Sequence, residues 1–395
     1  MKDNNNWLLP DGVDESLPEE ALRIENLRRM IIDVLSSWGY RLVIPPMIEY
    51  LESLLAGMGE DLDLQTFKLT DQRSGRAMGV RADITPQIAR IDAHRLPSDD
   101  PQRFCYVGPV VHTQPEKFAG SRNPLQIGAE IFGHKGIESD VEVISLLLEC
   151  LSAAGIPKIT LEVAHMEIFH GICAGQNFDL GCEQKILEAL SKKDKATLCE
   201  LLEQADASEE VLSHLMALLE LNGGISVLKD AKAKLASASS GVQSALEELS
   251  QLSDILTTTI PYLDLHIDLA EMRGYRYHTG IMFAAYTAAA GRAIAWGGRY
   301  DNTGKRLGRE RGATGFSTDL KVLEGLLSKG VSDTDIVYAP EGYDKDLLKA
   351  MNDCRKRGSI VVQELPNQVG GAANAGCNKH FVKINDVWEV KAISG

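Results

Sequence analysis

The sequence predicts an α+β protein whose sheet is built in two halves, with an all-helical insertion between them and a small C-terminal α/β module. Strand-like stretches at 104–112 and 125–132 form the first half, and sheet character resumes at residue 262. Between the halves, residues 182–260 have leucine-rich helical spacing and almost no aromatic residues, which indicates helices. After residue 334, strands alternate with a helix, which is typical of a small α/β module.

The composition is typical of a globular protein with one large core and one or two small domains. The chain has 395 residues, of which 44% are hydrophobic and 25% are charged. The most apolar stretch, 141–151, carries Glu142 and Glu149, so no membrane span is expected. The first residues lack a basic region followed by an apolar block, and we therefore expect no signal peptide and a cytoplasmic protein.

Cysteine and histidine spacing gives no sign of a disulfide framework or a metal site. The seven cysteines include no CxxC pair, and the nine histidines include no HExxH. His165 and His170 are interpreted as packing or surface residues. We expect no metal and no cofactor.

The acidic balance disfavours nucleic-acid binding. With 41 basic and 56 acidic side chains the net charge is -15, so RNA would require a local basic stripe. The one dense cluster comprises Lys305, Arg306, Arg309 and Arg311. We interpret it as a solvated loop.

The first helix is predicted to have its N-cap at Ser16, to place Pro18 in its first turn and to end at Gly39, with a strand over 40–44 after it. Before the insertion we further expect a hairpin of 67–69 and 77–81, a helix over 83–96, the strands 104–112 and 125–132, a helix over 139–154 and a strand at 159–163. After it we expect strands at 263–269, 281–286 and 292–296, then a strand and helix within 312–327. The tail is expected to contain a strand at 336–339, a helix over 343–357, and strands at 359–363, 379–384 and 387–392.

The octet RGYRYHTG at 273–280 is the most informative stretch for function. It follows the alternating run LDLHIDL and contains charged, aromatic and glycine residues, which is typical of a strand end that lines a polar pocket. In isolation a surface hairpin would be the better interpretation of the octet, by roughly two to one, because short motifs often match by chance. However, three further polar stretches occur in fixed order with it: RADIT at 81–85, QIGAEIFG at 126–133 and GGRYD at 297–301.

Together the four stretches resemble the catalytic domain of histidyl-tRNA synthetase. GYRLVIPPMIE at 39–49 resembles motif 1 of class II aminoacyl-tRNA synthetases, 104–132 resembles motif 2, and 312–327 resembles motif 3. The resemblance implies a class II aminoacyl-tRNA synthetase-like antiparallel sheet flanked by helices, with a homodimer core formed through motif 1. The expected domains are the two synthetase-like halves, 1–178 and 261–328, the helical insertion 179–260, and a C-terminal domain 335–395 that resembles only the beginning of an anticodon-binding domain.

The resemblance also implies a histidine-binding site. Its residues are Asp83, Thr85, Gln126, Glu130, Arg273, Tyr277, His278 and Tyr300. These types suit the ligand, because an ammonium group needs acceptors, a carboxylate needs a cation such as Arg273, and an imidazole N–H needs an acceptor such as Glu130. Asp83 is one methylene shorter than the family's glutamate, and His278 stands where the family usually has a tyrosine, so the contacts there are expected to differ.

The positions that bind ATP in the synthetase family are altered. His112 and Gln114 stand in place of the motif 2 arginine and glutamate, and Lys321 and Val322 replace the glutamate and arginine of motif 3. The resemblance therefore implies that amino-acid binding is kept without activation. We expect no catalytic residue in this chain.

The opening WLLPDGVDESLPEEA, the octet, GGRYD and the insertion together resemble the family of regulatory subunits of ATP phosphoribosyltransferase. This implies a non-catalytic subunit that activates the short-form catalytic subunit within a hetero-oligomer and senses L-histidine for feedback inhibition of the first step of histidine biosynthesis. No tRNA and no membrane partner are expected. Two alternatives are a working histidyl-tRNA synthetase and an RNA-binding synthetase paralogue.

Overall fold

A computed structural model describes residues 8–55, 60–114, 121–271, 277–327 and 335–393, with the backbone alone at 60, 61, 305 and 306. The chain forms two compact units, Met1–Leu327 and Ser328–Gly395. Within the described ranges, each helix is too short or too polar to span a bilayer.

The first unit contains twelve strands and thirteen helices in its described parts. The strands are β1 (Arg41–Val43), β2 (Ile48–Tyr50), β3 (Phe67–Thr70), β4 (Ala77–Val80), β5 (Gln102–Pro109), β6 (Leu125–Phe132), β7 (Thr160–His165), β8 (Asn222–Gly223), β9 (Asp264–Asp268), β10 (Ile281–Tyr286), β11 (Ala293–Arg299) and β12 (Ala313–Asp319). The helices are α1 (Pro18–Ser37), α2 (Leu51–Leu54), α3 (Glu60–Gln65), α4 (Thr85–His94), α5 (Ile137–Ala153), α6 (Met166–Cys173), α7 (Leu180–Ser191), α8 (Lys195–Gln204), α9 (Glu209–Leu218), α10 (Val227–Lys234), α11 (Ser240–Thr259), α12 (Asn302–Arg306) and α13 (Leu320–Leu326).

A nine-stranded sheet organises this unit, in the order β1-β5-β6-β12-β11-β10-β7-β9-β8. Neighbouring strands are antiparallel except β1–β5 and β7–β9, which are parallel. The predicted antiparallel sheet is therefore mixed at these two places. The predicted hairpin of 67–69 and 77–81 is confirmed as β3 and β4, which join β2 in a separate three-stranded sheet.

Helix α1 packs against helices α5 and α13 and against strands β1 and β5 of the large sheet. Ile24, Leu27, Ile31 and Leu35 recur at helical spacing and are buried, each worth roughly 1.5–3 kcal/mol of hydrophobic stabilisation. The predicted N-cap is wrong: Leu17 occupies that position, while the Ser16 hydroxyl hydrogen-bonds Glu20 Oε1 at 2.9 Å.

The predicted insertion contains helices α7 to α11 and one element that was not expected. Residues 222 and 223 form β8 and pair antiparallel with β9. The segment is thus not purely helical, because this short strand extends the large sheet at its edge. The division of the first unit into 1–178, 179–260 and 261–328 stays a prediction.

The second unit is a four-stranded sheet in the order β14-β13-β15-β16, with a helix on one face. Its elements are β13 (Ile336–Ala339), α14 (Lys345–Lys356), β14 (Ile360–Gln363), α15 (Gly371–Asn374), β15 (Lys379–Ile384) and β16 (Val387–Ala392). Helix α14 is capped by the Asp344 carboxylate, which accepts from the backbone N–H of Asp346 at 2.8 Å. The predicted elements are confirmed, and the short α15 was not expected.

Candidate functional site

Strand β6 separates the candidate site from the main core. Gln126, Gly128 and Glu130 alternate with apolar residues that belong to the core on the other side of the sheet. Since successive side chains of a strand point to opposite faces, these three residues share the site face. The register adds Tyr106 beside Gly128 and Gly315 beside Glu130.

Two glycines allow the site residues to approach the sheet closely. A Cβ at Gly315 would lie 1.5 Å from Glu130 Oε2, and a Cβ at Gly128 would lie 2.5 Å from the Tyr106 hydroxyl. Neither position accommodates a side chain unless the neighbour moves. Glycine is therefore required here for space rather than for backbone freedom.

Glu130 forms the deep end of the site. Its side chain is 1% exposed; Oε1 accepts a hydrogen bond from the Tyr106 hydroxyl at 3.1 Å, and Oε2 accepts one from the Tyr300 hydroxyl at 2.5 Å. Burial raises the pKa of Glu130 to about 8, although the hydrogen bond from Tyr300 opposes the shift. Among the described residues, no lysine or arginine forms an ion pair with it. This carboxyl can exchange hydrogen bonds with a neutral imidazole ring.

Asp83 lies at the shallower end of the site and is held in place by its neighbours. Asp83 Oδ1 accepts from the Thr85 backbone N–H at 3.0 Å and from Gln126 Nε2 at 2.8 Å. Gln126 Oε1 accepts from the backbone N–H of Ile84 at 3.0 Å, which fixes the orientation of the amide. In the described part of the chain, Asp83 Oδ2 makes no hydrogen bond, so a negative acceptor is left for a ligand cation.

Tyr106 connects the two ends and was missed by the sequence reasoning. Its hydroxyl lies 3.1 Å from Thr85 Oγ1 and donates to Glu130, and the residue is fully buried. The pairing of β5 with β6 places it opposite Gly128. The alternation of residues 104–112 was the one available signal for Tyr106. It shows which residues share a face of the strand, but that face can be assigned to the site only when the pairing with β6 is known.

The described end of the octet contributes two aromatic residues, while Arg273 lies outside the described residues. Tyr277 stacks on Tyr300 with ring centroids 4.6 Å apart and an interplanar angle of 20°. His278 packs edge-on against Tyr277 at 5.3 Å, and burial lowers the pKa of His278 to about 4. At neutral pH this imidazole is uncharged. The structure thus brings together all the predicted site residues except Arg273, with His278 at the margin.

His112, at the position of the motif 2 arginine, is turned into the protein. It is 9% exposed, and its Nε2 lies 2.9 Å from the Ala82 carbonyl oxygen. Its backbone N–H donates to the Arg122 carbonyl at 2.8 Å, and its own carbonyl accepts from Arg122 Nε at 3.0 Å.

The N-terminal segment, residues 11–14, bonds two basic side chains near motifs 2 and 3, Arg122 and Lys321. Lys321 Nζ lies 3.1 Å from Asp14 Oδ2, and the Ser121 hydroxyl also bonds Asp14. These contacts lower the pKa of Asp14 although burial opposes the shift. Arg122 Nη1 donates to the Asp11 carbonyl at 3.0 Å.

The predicted solvated basic loop is wrong for two of its members. Arg311 is 8% exposed and donates to Asp92 at 3.2 Å and to the Asp100 carbonyl at 2.7 Å. Arg309 bonds Asp99 at 3.1 Å. Both arginines therefore bond the 98–100 segment, Arg309 through the Asp99 carboxylate and Arg311 through the Asp100 carbonyl.

One acidic cluster on the sheet has ligand types suited to a metal. The ligand atoms of Glu162, His266 and Asp268 lie within 4.8 Å of one another. However, Lys193 Nζ already lies 2.8 Å from Asp268 Oδ2 and supplies a positive charge. The absence of a metal stays a prediction.

Two family models match the chain. The model described as "Histidyl-tRNA synthetase" matches residues 12–323, and "ATP phosphoribosyltransferase subunit HisZ C-terminal domain" matches residues 334–391. Together they cover both units.

Relatives match along nearly the whole length. The ATP phosphoribosyltransferase regulatory subunit of Thioalkalivibrio sulfidiphilus is 49% identical over 96% of this chain and 96% of that protein. The subunit of the same name from Alkalilimnicola ehrlichii is 50% identical over 96% of this chain and 95% of that protein.

Solved structures share the fold. A crystal structure from Bacillus halodurans, described as an ATP phosphoribosyltransferase regulatory subunit/histidyl-tRNA synthetase, superposes with a TM-score of 0.81 at 26% identity and covers 95% of this chain and 97% of that one. Histidyl-tRNA synthetase from Nostoc sp. PCC 7120 has the same fold, with a TM-score of 0.77 at 20% identity over 96% of this chain and 91% of that one. The chain therefore belongs to the family of ATP phosphoribosyltransferase regulatory subunits, which is built on the histidyl-tRNA synthetase fold.

Proposed function

We propose that this chain is the non-catalytic, histidine-sensing subunit of a short-form ATP phosphoribosyltransferase. In this proposal the catalytic partner joins ATP to phosphoribosyl pyrophosphate, the first step of histidine biosynthesis. The regulatory chain stabilises the active state of the partner and, when L-histidine binds, shifts the equilibrium towards a less active state. Such coupling is typically about 1–3 kcal/mol, or roughly 5- to 150-fold in affinity.

The observation that carries this proposal is the polar network that runs from Asp83 to Glu130. Glu130 and its two tyrosines suit an imidazole ring, and the open Oδ2 of Asp83 suits an ammonium group. Arg273 is proposed as the partner of the ligand carboxylate. The described network thus supports contacts to the imidazole ring and the ammonium group of histidine.

The altered nucleotide positions support a loss of amino-acid activation. His112 donates to a backbone carbonyl, and Lys321 is paired with Asp14. Each charge-assisted hydrogen bond contributes about 1.5–3 kcal/mol, and the loss of one transition-state donor commonly costs about 100- to 1,000-fold in rate. With both family arginines replaced, we propose that this chain does not form histidyl adenylate.

The surface supports a homodimer core and offers little to tRNA. Strand β1 lies at the edge of the large sheet, and the apolar side chains near it are exposed: Leu42 is 41% exposed, Ile44 74%, Met47 41% and Ile48 47%. We propose that a second copy covers this patch, as the resemblance to motif 1 implies.

The charges of the protein offer little to tRNA. Arg309 and Arg311 are already used within the protein, and the net charge is -15.

Calorimetric titration of the full chain with L-histidine, and separately with ATP and magnesium, tests the proposal. We expect binding of histidine alone, and co-purification with the catalytic subunit. Arg273→Ala and Glu130→Ala should each weaken inhibition by histidine and leave assembly intact. Inhibition of either variant at the wild-type histidine concentration would show that the pocket is wrongly assigned.

Histidine-dependent exchange of pyrophosphate into ATP separates the proposal from a working synthetase. We expect no exchange above background, with a known histidyl-tRNA synthetase as the positive control. Exchange by the purified chain would restore the synthetase alternative. Retention of tRNA at physiological salt would favour the RNA-binding paralogue.

A further inference from the structure

Trp296 is a partly exposed aromatic side chain in the middle of the large sheet. It is 43% exposed, although the other six residues of β11 are buried. Strand β11 is the fifth of nine strands, so this exposure does not come from a position at the edge of the sheet. Since aromatic side chains gain most from burial, one that stays exposed here borders an open space on one face of the sheet.

The register of the strands places this indole on the face that carries the candidate site. Trp296 is paired with Ser317 of β12, and Ser317 is paired with Gly128 of β6. Directly paired residues of antiparallel strands project to the same face. A Cβ at Gly128 would meet the Tyr106 hydroxyl, which belongs to the site. The side chain of Trp296 thus points to the same side of the sheet as this hydroxyl.

The neighbours of two glycines on β11 support this orientation. Gly298 lies two residues after Trp296 and shares its face, and a Cβ there would lie 2.9 Å from His278 Nδ1, at the margin of the site. A Cβ at Gly297 would instead lie 2.6 Å from the Phe283 ring, which belongs to the main core. Strand β11 therefore alternates between core and site, with Trp296 on the site side.

Trp296 bounds the space beside the proposed ligand. A histidine molecule bound between Glu130 and Asp83 passes over Gly128, because Gly128 lies midway along β6 between Glu130 and Gln126, the residue that holds Asp83. Strand β5 borders this position on one side, and β12 followed by β11 borders it on the other. Two strand spacings, about 10 Å, separate β6 from β11. The gap between them is about the width of one small molecule.

The carboxylate of the ligand is expected on the Trp296 side. Asp83 belongs to the segment whose Thr85 hydroxyl contacts Tyr106 of β5, so the ammonium group would bind on the β5 side. The α-carbon of an amino acid is tetrahedral, and its carboxylate therefore points away from both the ammonium group and the ring. That direction leads over the small side chain of Ser317 towards the indole.

We propose that Trp296 is a specificity-determining residue that limits the ligand to free histidine, because its indole occupies the space into which a group attached to the ligand carboxylate would extend. This inference rests on the proposed function, since it concerns the size of the histidine ligand. A binding site gains specificity when an unwanted ligand meets a steric clash. Esters and amides of histidine with a bulky group are rejected in this way, whereas the carboxylate of free histidine fits over Ser317.

Three ligands separate the effect of size from that of charge: L-histidine, L-histidinamide and L-histidine naphthylamide. Both amides lack the carboxylate charge, and only the naphthylamide carries a bulky group. Each ligand is titrated by calorimetry into the full chain, alone and with its catalytic partner, as wild type, Trp296→Ala and Trp296→Phe. Trp38→Ala, which changes a tryptophan packed against the main core, is the matched control.

We expect the wild type to bind the naphthylamide at least about 100-fold more weakly than histidinamide. Trp296→Ala should reduce this ratio at least about tenfold and Trp296→Phe by a smaller factor, while the affinity for histidine stays within about threefold of wild type. Trp38→Ala should keep the wild-type ratio. A residue that only stabilises the fold would not change the ratio of the two amides.

Equal binding of both amides by the wild type would overturn the inference, because the pocket would then be open beside the carboxylate. An unchanged ratio in Trp296→Ala would do the same, since another group would then limit the ligand. Loss of histidine binding in both Trp296 variants would also overturn it, because the indole would then hold the ligand rather than limit its size. In these three cases the wild type still binds histidine and the proposed function stands. If the wild-type chain and its complex bind no histidine, the proposed function itself fails, and the inference fails with it.

Discussion

The buried carboxyl of Glu130 should make the stability of the first unit depend on pH, and Glu130→Gln should remove that dependence. Burial raises the pKa of Glu130 to about 8, whereas in the unfolded chain it is close to its ordinary value of 4.5. The native state therefore keeps a proton that the unfolded state releases between these values. Stability from this group is highest at low pH and falls as the pH rises towards 8.

The size of the effect follows from the same two pKa values. Each pH unit between them is worth about 1.4 kcal/mol, and the slope decreases as the pH approaches the folded pKa. From pH 6 to pH 8, Glu130 should lower the free energy of unfolding by about 2 kcal/mol. Glutamine is uncharged throughout and can still hydrogen-bond the two tyrosine hydroxyls, so it isolates the ionisation from the shape of the side chain.

The measurement is urea unfolding of the wild type and Glu130→Gln at pH 6, 7 and 8, at one protein concentration. We expect the wild type to lose about 2 kcal/mol relative to the variant over this range. Glu203→Gln, on the exposed surface of α8, is the matched control and should follow the wild type. A difference between the wild type and Glu130→Gln that stays constant across the three pH values would refute the reasoning, because Glu130 would then carry the same charge in both states.

Three further substitutions test the packing of the site and the edge of the sheet. Gly315→Ala should displace the Glu130 carboxyl, since the new Cβ would lie 1.5 Å from Oε2, and calorimetry should show loss of histidine binding; Gly325→Ala, with no atom within 4 Å of its Cβ, should bind normally. Tyr106→Phe leaves an oxygen of Glu130 with one donor fewer and should cost about 1–3 kcal/mol in urea unfolding, and an unchanged midpoint would contradict its bridging role. Ile44→Asp places a charge on a side chain that is 74% exposed and should dissociate the proposed homodimer in sedimentation equilibrium, whereas Leu180→Asp, at a position 62% exposed on the insertion, should sediment like the wild type.

The sequence predicted the types of the helices and strands well, because the spacing of apolar residues follows directly from the geometry of each element. The alternation of Gln126, Gly128 and Glu130 places all three on one face of a strand, and that face is the candidate site. The glycine at 128 is explained only by a contact with another strand, since the Tyr106 hydroxyl occupies the space a Cβ would need. Strand register is a property of the pair, which is why Tyr106 could not be identified from its own segment.

Long-range hydrogen bonds explain the remaining differences. Arg309 and Arg311 look like solvated charges in sequence, but their partners lie more than 200 residues earlier in the chain. Ser16 has the residue type of an N-cap, yet its hydroxyl bonds Glu20 and leaves the cap position to Leu17. In both cases the residue type fitted the predicted role, but the side chain forms a hydrogen bond with a different partner in the structure.

His112 and Lys321, at two of the positions that bind ATP in the family this sequence resembles, already have partners within this protein. An arginine placed at position 112 would find the Ala82 carbonyl in the place now bonded by the imidazole, and Arg122 already holds the backbone of that residue. On the motif 3 side, Lys321 is paired with Asp14, and Asp14 is also bonded by Ser121. A phosphate group would have to compete with Asp14 for Lys321 before it gained any contact. For the proposed loss of amino-acid activation, this predicts that new arginines alone do not create an ATP site, because Asp14 would still be paired with Lys321.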